Sequence, residues 1–161
     1  MQKVGILNSS IAKVLADLGH TDTIVIGDCG LPVPAGVPKI DLALKLGTPS
    51  FMEVVSEVAK YMEIEKVEVA AEIQEKNTGV YRHGAVCVCH RLIARGQSKK
   101  KDSPKNTGVY EALKELFPQQ EWIIDENHEA FKAATAKAKV VIRTGEITPY
   151  ANIILHSNVI F

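Results

Sequence analysis

Short β-branched runs alternate with stretches of helical periodicity, and this alternation restricts the chain more than any other feature. Thr23 to Gly27, Lys66 to Ala71 and Lys139 to Arg143 are compact apolar runs, the pattern of strands buried on both faces. Between them, Ile11, Val14, Leu15 and Leu18 recur at i, i+3, i+4 and i+7, and Phe51, Val54, Val55, Val58 and Met62 form a second helical face. Asn8, Ser9 or Ser10 is placed to cap the first helix, and Gly19 to end it in the left-handed conformation. Thr48 or Ser50 caps the second, where Ser50-Phe51-Met52-Glu53 has capping-box spacing. Further strands are expected at Lys3–Leu7, Lys39–Leu44, Trp122–Ile124 and Asn152–Leu155, and helices at Glu111–Phe117 and Glu129–Lys137. The sum is a layered α/β/α domain. The short link from Gly145 to Ala151 suits antiparallel neighbours, so the sheet is expected to be mixed and mostly parallel.

At 161 residues, 46% of them apolar and with zero net charge, the chain suits one soluble domain with its own core. No apolar run reaches the length of a membrane span, and no basic start followed by a hydrophobic stretch opens the chain. Three cysteines, an odd number, give no disulfide framework and fit a reducing compartment, so cytoplasmic residence is expected.

The zero balance conceals an asymmetry. Residues 77–105 carry seven basic side chains and one acid, a local charge of +6. The segment is bracketed by a repeat: Lys76-Asn77-Thr78-Gly79-Val80-Tyr81 recurs as Lys105-Asn106-Thr107-Gly108-Val109-Tyr110, 29 residues on. This reads as an insertion with a duplicated flank. Excising one repeat length joins Lys76-Asn77 to Thr107-Gly108 without disturbing either side. Within it, Gly84–Cys89 is a candidate strand and Gln97–Pro104 a solvated basic loop. A positive segment can recruit an acidic partner, but little aromatic interleaving argues against nucleic acid, and a surface excursion is the plainer reading.

Few residues look like chemistry. His20 follows a helix end, where the negative end of the dipole favours a protonated imidazole; it is either a general acid or a polar cap. Asp28 closes an apolar strand ahead of Gly30, Pro32 and Pro34. Ligands gather at the carboxyl ends of strands in open α/β sheets, although Asp is also a common turn former. A carboxylate there can hold a hydroxyl or orient and charge a histidine. His128 begins a helix, as a site residue or a solvated helix start. Tyr150 and Asn152 flank Ala151 after the rigid Pro149, and in an extended segment they face the same way; a plain turn is the alternative. Arg143 and Glu146 are placed to pair at a sheet end. Cys87, Cys89, His90 and His83 lack the spacing of a zinc knuckle, and Cys29 fits a small buried residue better than a nucleophile. Phosphate-loop and dinucleotide fingerprints are missing.

These segments resemble the D-ribose pyranase family, whose relatives include the fucose mutarotases. The likeness rests on Gly5–Asn8, Leu15–Asp22, Asp28-Cys29-Gly30-Leu31-Pro32-Val33-Pro34, Lys39–Leu44, Val141–Asn152 and the terminal Asn158-Val159-Ile160-Phe161, covering nearly everything outside 77–105. Leu-Pro-Val-Pro and Thr-Pro-Tyr-Ala-Asn look like the ribose branch. The resemblance implies an isomerase that interconverts pyranose and furanose D-ribose and feeds ribokinase, with His20 as proton donor and Asp28, His128 and Tyr150-Ala151-Asn152 against the sugar. It implies no cofactor or metal and a ring-shaped homo-oligomer, commonly a decamer of two stacked pentamers, with sites shared between subunits. Cys29 stands where the family usually has alanine, and the insertion is foreign to the pattern. The base is open between His128, water and Asp28. A mutarotase of fucose or another monosaccharide, or a non-catalytic sugar-binding module, are the competing readings.

Overall fold

The computed structural model describes residues 3–77 and 108–161. One sheet of six strands organises them: β1 (Thr23–Gly27), β2 (Lys39–Asp41), β3 (Ile64–Ala70), β4 (Glu121–Asp125), β5 (Val140–Arg143) and β6 (Ile153–Ser157). Their order is β2-β5-β1-β6-β3-β4. β2, β5 and β1 are mutually parallel, as are β3 and β4, while β6 runs antiparallel to both β1 and β3. The sheet is thus mixed and mostly parallel, as the alternation of elements implies. The link after β5 does not join neighbours, however: β1 lies between β5 and β6. A buried parallel pairing of Val25 with Val141 and Ile26 with Ile142 takes the place beside β5.

Side-chain alternation along β1 divides the core. Ile24 and Ile26 join one cluster with Phe51, Val55, Ile73 and Leu113; Val25 joins the other with Leu31, Phe131, Val141 and Ile154. Four helices, α1 (Ser9–Ala16), α2 (Phe51–Ala59), α3 (Glu72–Lys76) and α4 (Val109–Leu116), contribute to the first cluster. The opposite face is covered by α5 (His128–Thr135) and the proline-rich loop through Leu31, Val33 and Val37. The α/β/α layering is therefore unequal, with one thick and one thin outer layer.

Local signals explain the helix starts. Asn8 Oδ1 accepts the Ile11 amide, and Asn127 Oδ1 accepts that of Ala130. Ser50 and Glu53 complete a reciprocal capping box at α2. Two expectations fail. Lys3 to Leu7 forms no strand: Gly5 takes φ +100°, and only Ile6 of Val4, Ile6 and Leu7 is buried. Gly19 is not left-handed either. α1 ends at Ala16 with Asp17 still in right-handed geometry, and the Gly19 amide is bound by the Asp22 carboxylate at 2.8 Å. His20 therefore lies four residues past the helix, beyond the last turn in which its partial charge acts. The candidate strand at Gly84–Cys89, the basic loop and the cysteine–histidine cluster lie outside the described residues.

The loop after β5 is held from within. Glu146, buried, accepts the Ile147 and Thr148 amides (both 3.0 Å) and the Thr148 hydroxyl (2.7 Å) on Oε1, and the Phe51 amide (3.2 Å) on Oε2. It does not pair with Arg143, whose guanidinium forms a two-point bond with Asp41. Among the described glycines Gly145 carries the closest backbone approach: a Cβ there would lie 2.4 Å from the Thr48 carbonyl and 2.5 Å from that of Lys45. Because these obstacles are backbone, Gly145→Ala is expected to destabilise by about 3 kcal/mol, read as a lower urea midpoint at unchanged slope.

Candidate active site

Five parallel strands end at one edge of the sheet, and β6 begins there. That edge collects most of the chemistry. Asp28, the residue after β1, and Asn152, the residue before β6, form a two-point bond. The Asp28 amide donates to Asn152 Oδ1 at 2.9 Å, and Asn152 Nδ2 donates to Asp28 Oδ2 at 3.0 Å. The other carboxylate oxygen, Oδ1, accepts the Gly30 amide at 2.8 Å, the local turn expected of Asp before glycine. Gly27 permits the approach, since a Cβ on it would meet Asn152 Oδ1 at 2.8 Å. Asn152 is 1% exposed and serves chiefly to orient the half-buried Asp28. Cys29, also half-buried, donates its amide to the Glu146 carbonyl at 2.9 Å.

Tyr150 reaches the same edge by another route. Its φ is +63°, so the segment is not extended and the alternation rule does not apply. The turn is closed by the Ala151 amide on the Thr148 carbonyl (3.3 Å) and the Asn152 amide on the Tyr150 carbonyl (2.8 Å), with Ala151 fully buried. The phenol ring meets the edge of His128, ring centres 5.2 Å apart, and Lys76 Nζ lies 3.4 Å from its hydroxyl and 4.9 Å from its ring centre. His128, the first residue of α5, stacks on Phe131 at 6.0 Å and donates its amide to Glu72 Oε1 at 2.9 Å. Asn77 Nδ2 holds the Pro149 carbonyl at 2.6 Å.

His20 stands apart. It precedes β1, so the strand separates it from Asp28 by about 16 Å of rise. It is exposed, beside Asp22, which Lys139 Nζ pairs at 2.8 Å. The Gly19 amide, with Lys139, holds the Asp22 carboxyl below its usual range. Among the described residues of one chain Asp28 orients no histidine; its partner is Asn152.

Nothing in the sequence marks Glu72, Lys76 and Asn77 as site residues; the last two stand out there only as part of the repeated hexapeptide. They sit on and just after α3, a five-residue helix with no apolar period of its own, and their partners lie 56 to 74 residues away. Among the described residues no group of three or more His, Cys, Asp or Glu is placed to hold a metal, and no helix is long and apolar enough to cross a membrane. A recess of about 340 Å³ lies away from this edge, lined by Met62, Glu63, Phe117 and Gln120 among others.

Fold and site together define an α/β protein whose polar edge combines carboxylate, amide, phenol and imidazole, suited to a small polyhydroxylated ligand. The chain belongs to the RbsD / FucU transport protein family, whose family model matches residues 1–160. It is 50% identical over 161 residues to a D-ribose pyranase of Exiguobacterium sibiricum and 53% identical to one of Bacillus licheniformis, with both chains fully covered in each case. Among solved structures it is similar to Bacillus subtilis RbsD complexed with D-ribose (TM-score 0.79, 46% identity, all of both chains). A fucose mutarotase from Streptococcus pneumoniae in complex with L-fucose shares the fold (TM-score 0.60, 18% identity, 96% of this chain and 95% of that one).

Asp125 and Glu68 bring two carboxyls together on the face covered by α5. Glu68 is buried and 2.9 Å from His156 Nε2, and Asp125 Oδ2 is buried without a hydrogen-bond partner. Burial, reinforced by the Glu68 charge, pushes the Asp125 carboxyl up to about 6 from 3.8. A raised acid binds its proton more tightly when folded, so this contribution is complete below the unfolded value and is lost as pH rises through about 6. Asp125→Asn is therefore expected to flatten the pH dependence of the urea midpoint across that window and to exceed the parent protein in stability at higher pH.

Proposed function

We propose that the chain is a D-ribose pyranase, an isomerase interconverting the pyranose and furanose forms of D-ribose. The observation that carries this reading is identity of about half the residues to D-ribose pyranases over the full chain. The polar edge supplies a matching chemistry. Ring opening takes the proton from the anomeric hydroxyl, breaks the bond between the anomeric carbon and the ring oxygen, and delivers a proton to that oxygen. The aldehyde recloses through a different hydroxyl. No electrons leave, so the reaction needs no redox cofactor, and general acid–base help of about 10²- to 10⁴-fold accelerates a process that already runs unaided.

His20 is the acid in this scheme. Asp28, locked by Asn152, accepts a sugar hydroxyl; Tyr150 and His128 line the sugar, Ala151 closes the turn beneath it, and His128, Asp28 or a water takes the anomeric proton. Because β1 separates His20 from Asp28 in one chain, the site is completed by His20 of a second copy, in a closed homo-oligomer, a decamer of two stacked pentamers. The product furanose goes to ribokinase in the cytoplasm. Residues 77–105 are an insertion within a single domain, and its first residue, Asn77, supports the turn that carries Tyr150.

Two measurements test this. Saturation-transfer NMR on ribose is expected to show faster ring exchange with the protein, lost in His20→Ala and in Asp28→Asn. Unchanged exchange in His20→Ala removes that residue from the mechanism, saturable binding without faster exchange makes the protein a sugar-binding module, and faster exchange of fucose than ribose makes it a mutarotase of another sugar. Co-folding the two inactive variants is expected to restore activity at about a quarter of the sites, those pairing an intact His20 with an intact Asp28 from different chains. No recovery would place both groups in one chain's site.

A further inference from the structure

Two atoms beside the candidate site are buried and have no hydrogen-bond partner: Glu72 Oε2 and His128 Nδ1. Buried polar atoms are nearly always satisfied, so two orphaned atoms on residues in contact need a reason. Their residues are already joined, because Glu72 Oε1 accepts the His128 amide at 2.9 Å. The junction is built by the sheet. Ala70 pairs with Asp125 in the β3–β4 ladder, the Ala71 amide extends it to the Asp125 carbonyl, and α3 and α5 leave the two strand ends as neighbours. Burial works against the Glu72 charge, yet the amides of His128 and Glu72, with the Lys76 charge beside them, help hold the carboxyl below its usual range. An ionised carboxylate is an acceptor only, whereas a neutral imidazole donates from one nitrogen and accepts at the other. The two orphaned atoms are thus complementary if Nδ1 carries the hydrogen.

We propose that Glu72 is a positioning residue for the reaction: one carboxylate oxygen fixes the backbone of His128, and the other sets the proton on Nδ1, so that Nε2 is the nitrogen presented to the sugar. This rests on the ribose pyranase reading only for what Nε2 faces. Oε2 and Nδ1 meet directly or through one water when the site closes on its ligand, as catalytic hydrogen bonds often tighten on binding. The same helix fixes the other side of the site, since Lys76 contacts the Tyr150 hydroxyl and Asn77 the Pro149 carbonyl. Short α3 therefore sets the spacing between imidazole and phenol.

The test is Glu72→Gln in the full-length protein, followed by long-range ¹⁵N–¹H spectra of the histidine rings, with and without ribose, and by exchange kinetics. Gln keeps an oxygen for the His128 amide but can turn an N–H₂ toward Nδ1, which must then accept. The expected result is a His128 ring protonated on Nδ1 in the parent protein and on Nε2 in the variant, with the other four histidines unmoved. Exchange is expected to fall about tenfold or more in kcat with KM within about twofold, as when an amide replaces an orienting carboxylate and leaves the wrong tautomer. Glu72→Ala, the second variant, is expected to leave His128 as a mixture of both forms. If His128 shows the same tautomer in all three proteins, Glu72 does not position it. A parent protein that binds or exchanges no ribose would end the pyranase reading instead, and the ring spectra would still decide the role of Glu72.

Discussion

One reversed strand governs this molecule. Among the described strands β6 alone opposes its neighbours, and it lies near the centre of the sheet, between β1 and β3. Its first residues therefore arrive where the other strands finish. The chain must travel from the end of β5 over the end of β1 without leaving that edge, and Glu146 makes this possible. A buried carboxylate satisfied by amides and a hydroxyl fixes the loop to the start of α2. Charge-assisted bonds of this kind are stronger than neutral ones. The Asp28–Asn152 bond is the outcome: residues 124 apart in sequence meet because one strand ends where another begins.

The elements themselves were largely legible. Ser50 and Glu53 announce α2, and the β-branched run at Thr23 announces β1, because capping and burial are local or periodic properties. Asp28 was legible as a strand-end carboxylate for the same reason. What stayed hidden depends on pairing across the chain. Nothing near Glu146 distinguishes a carboxylate bound by amides from one paired to Arg143, and nothing in Glu72 to Lys76 points to His128 or Tyr150. The Lys3–Leu7 run misled because β propensity needs a partner strand, and Gly5 turns the backbone before one can form. Gly19 misled because a side-chain acceptor from Asp22 took over the work of a left-handed residue.

The repeated hexapeptide acquires a structural meaning. Lys76 and Asn77, from the first copy, touch Tyr150 and Pro149. Gly108 and Val109, from the second, are buried at the start of α4, where Val109 joins the core. Each copy thus contributes described residues to the fold. The described residues on either side of the segment thus belong to one sheet and one core.

Tyr150 shows what such a site costs its owner. A bulky residue in the left-handed region carries backbone strain of about 1–3 kcal/mol, which glycine would relieve at once. Relief would come with the loss of the ring that faces His128. Durability alone thus pulls this position toward glycine, the contact with His128 pulls it toward an aromatic ring, and the side chain present marks where the compromise now stands.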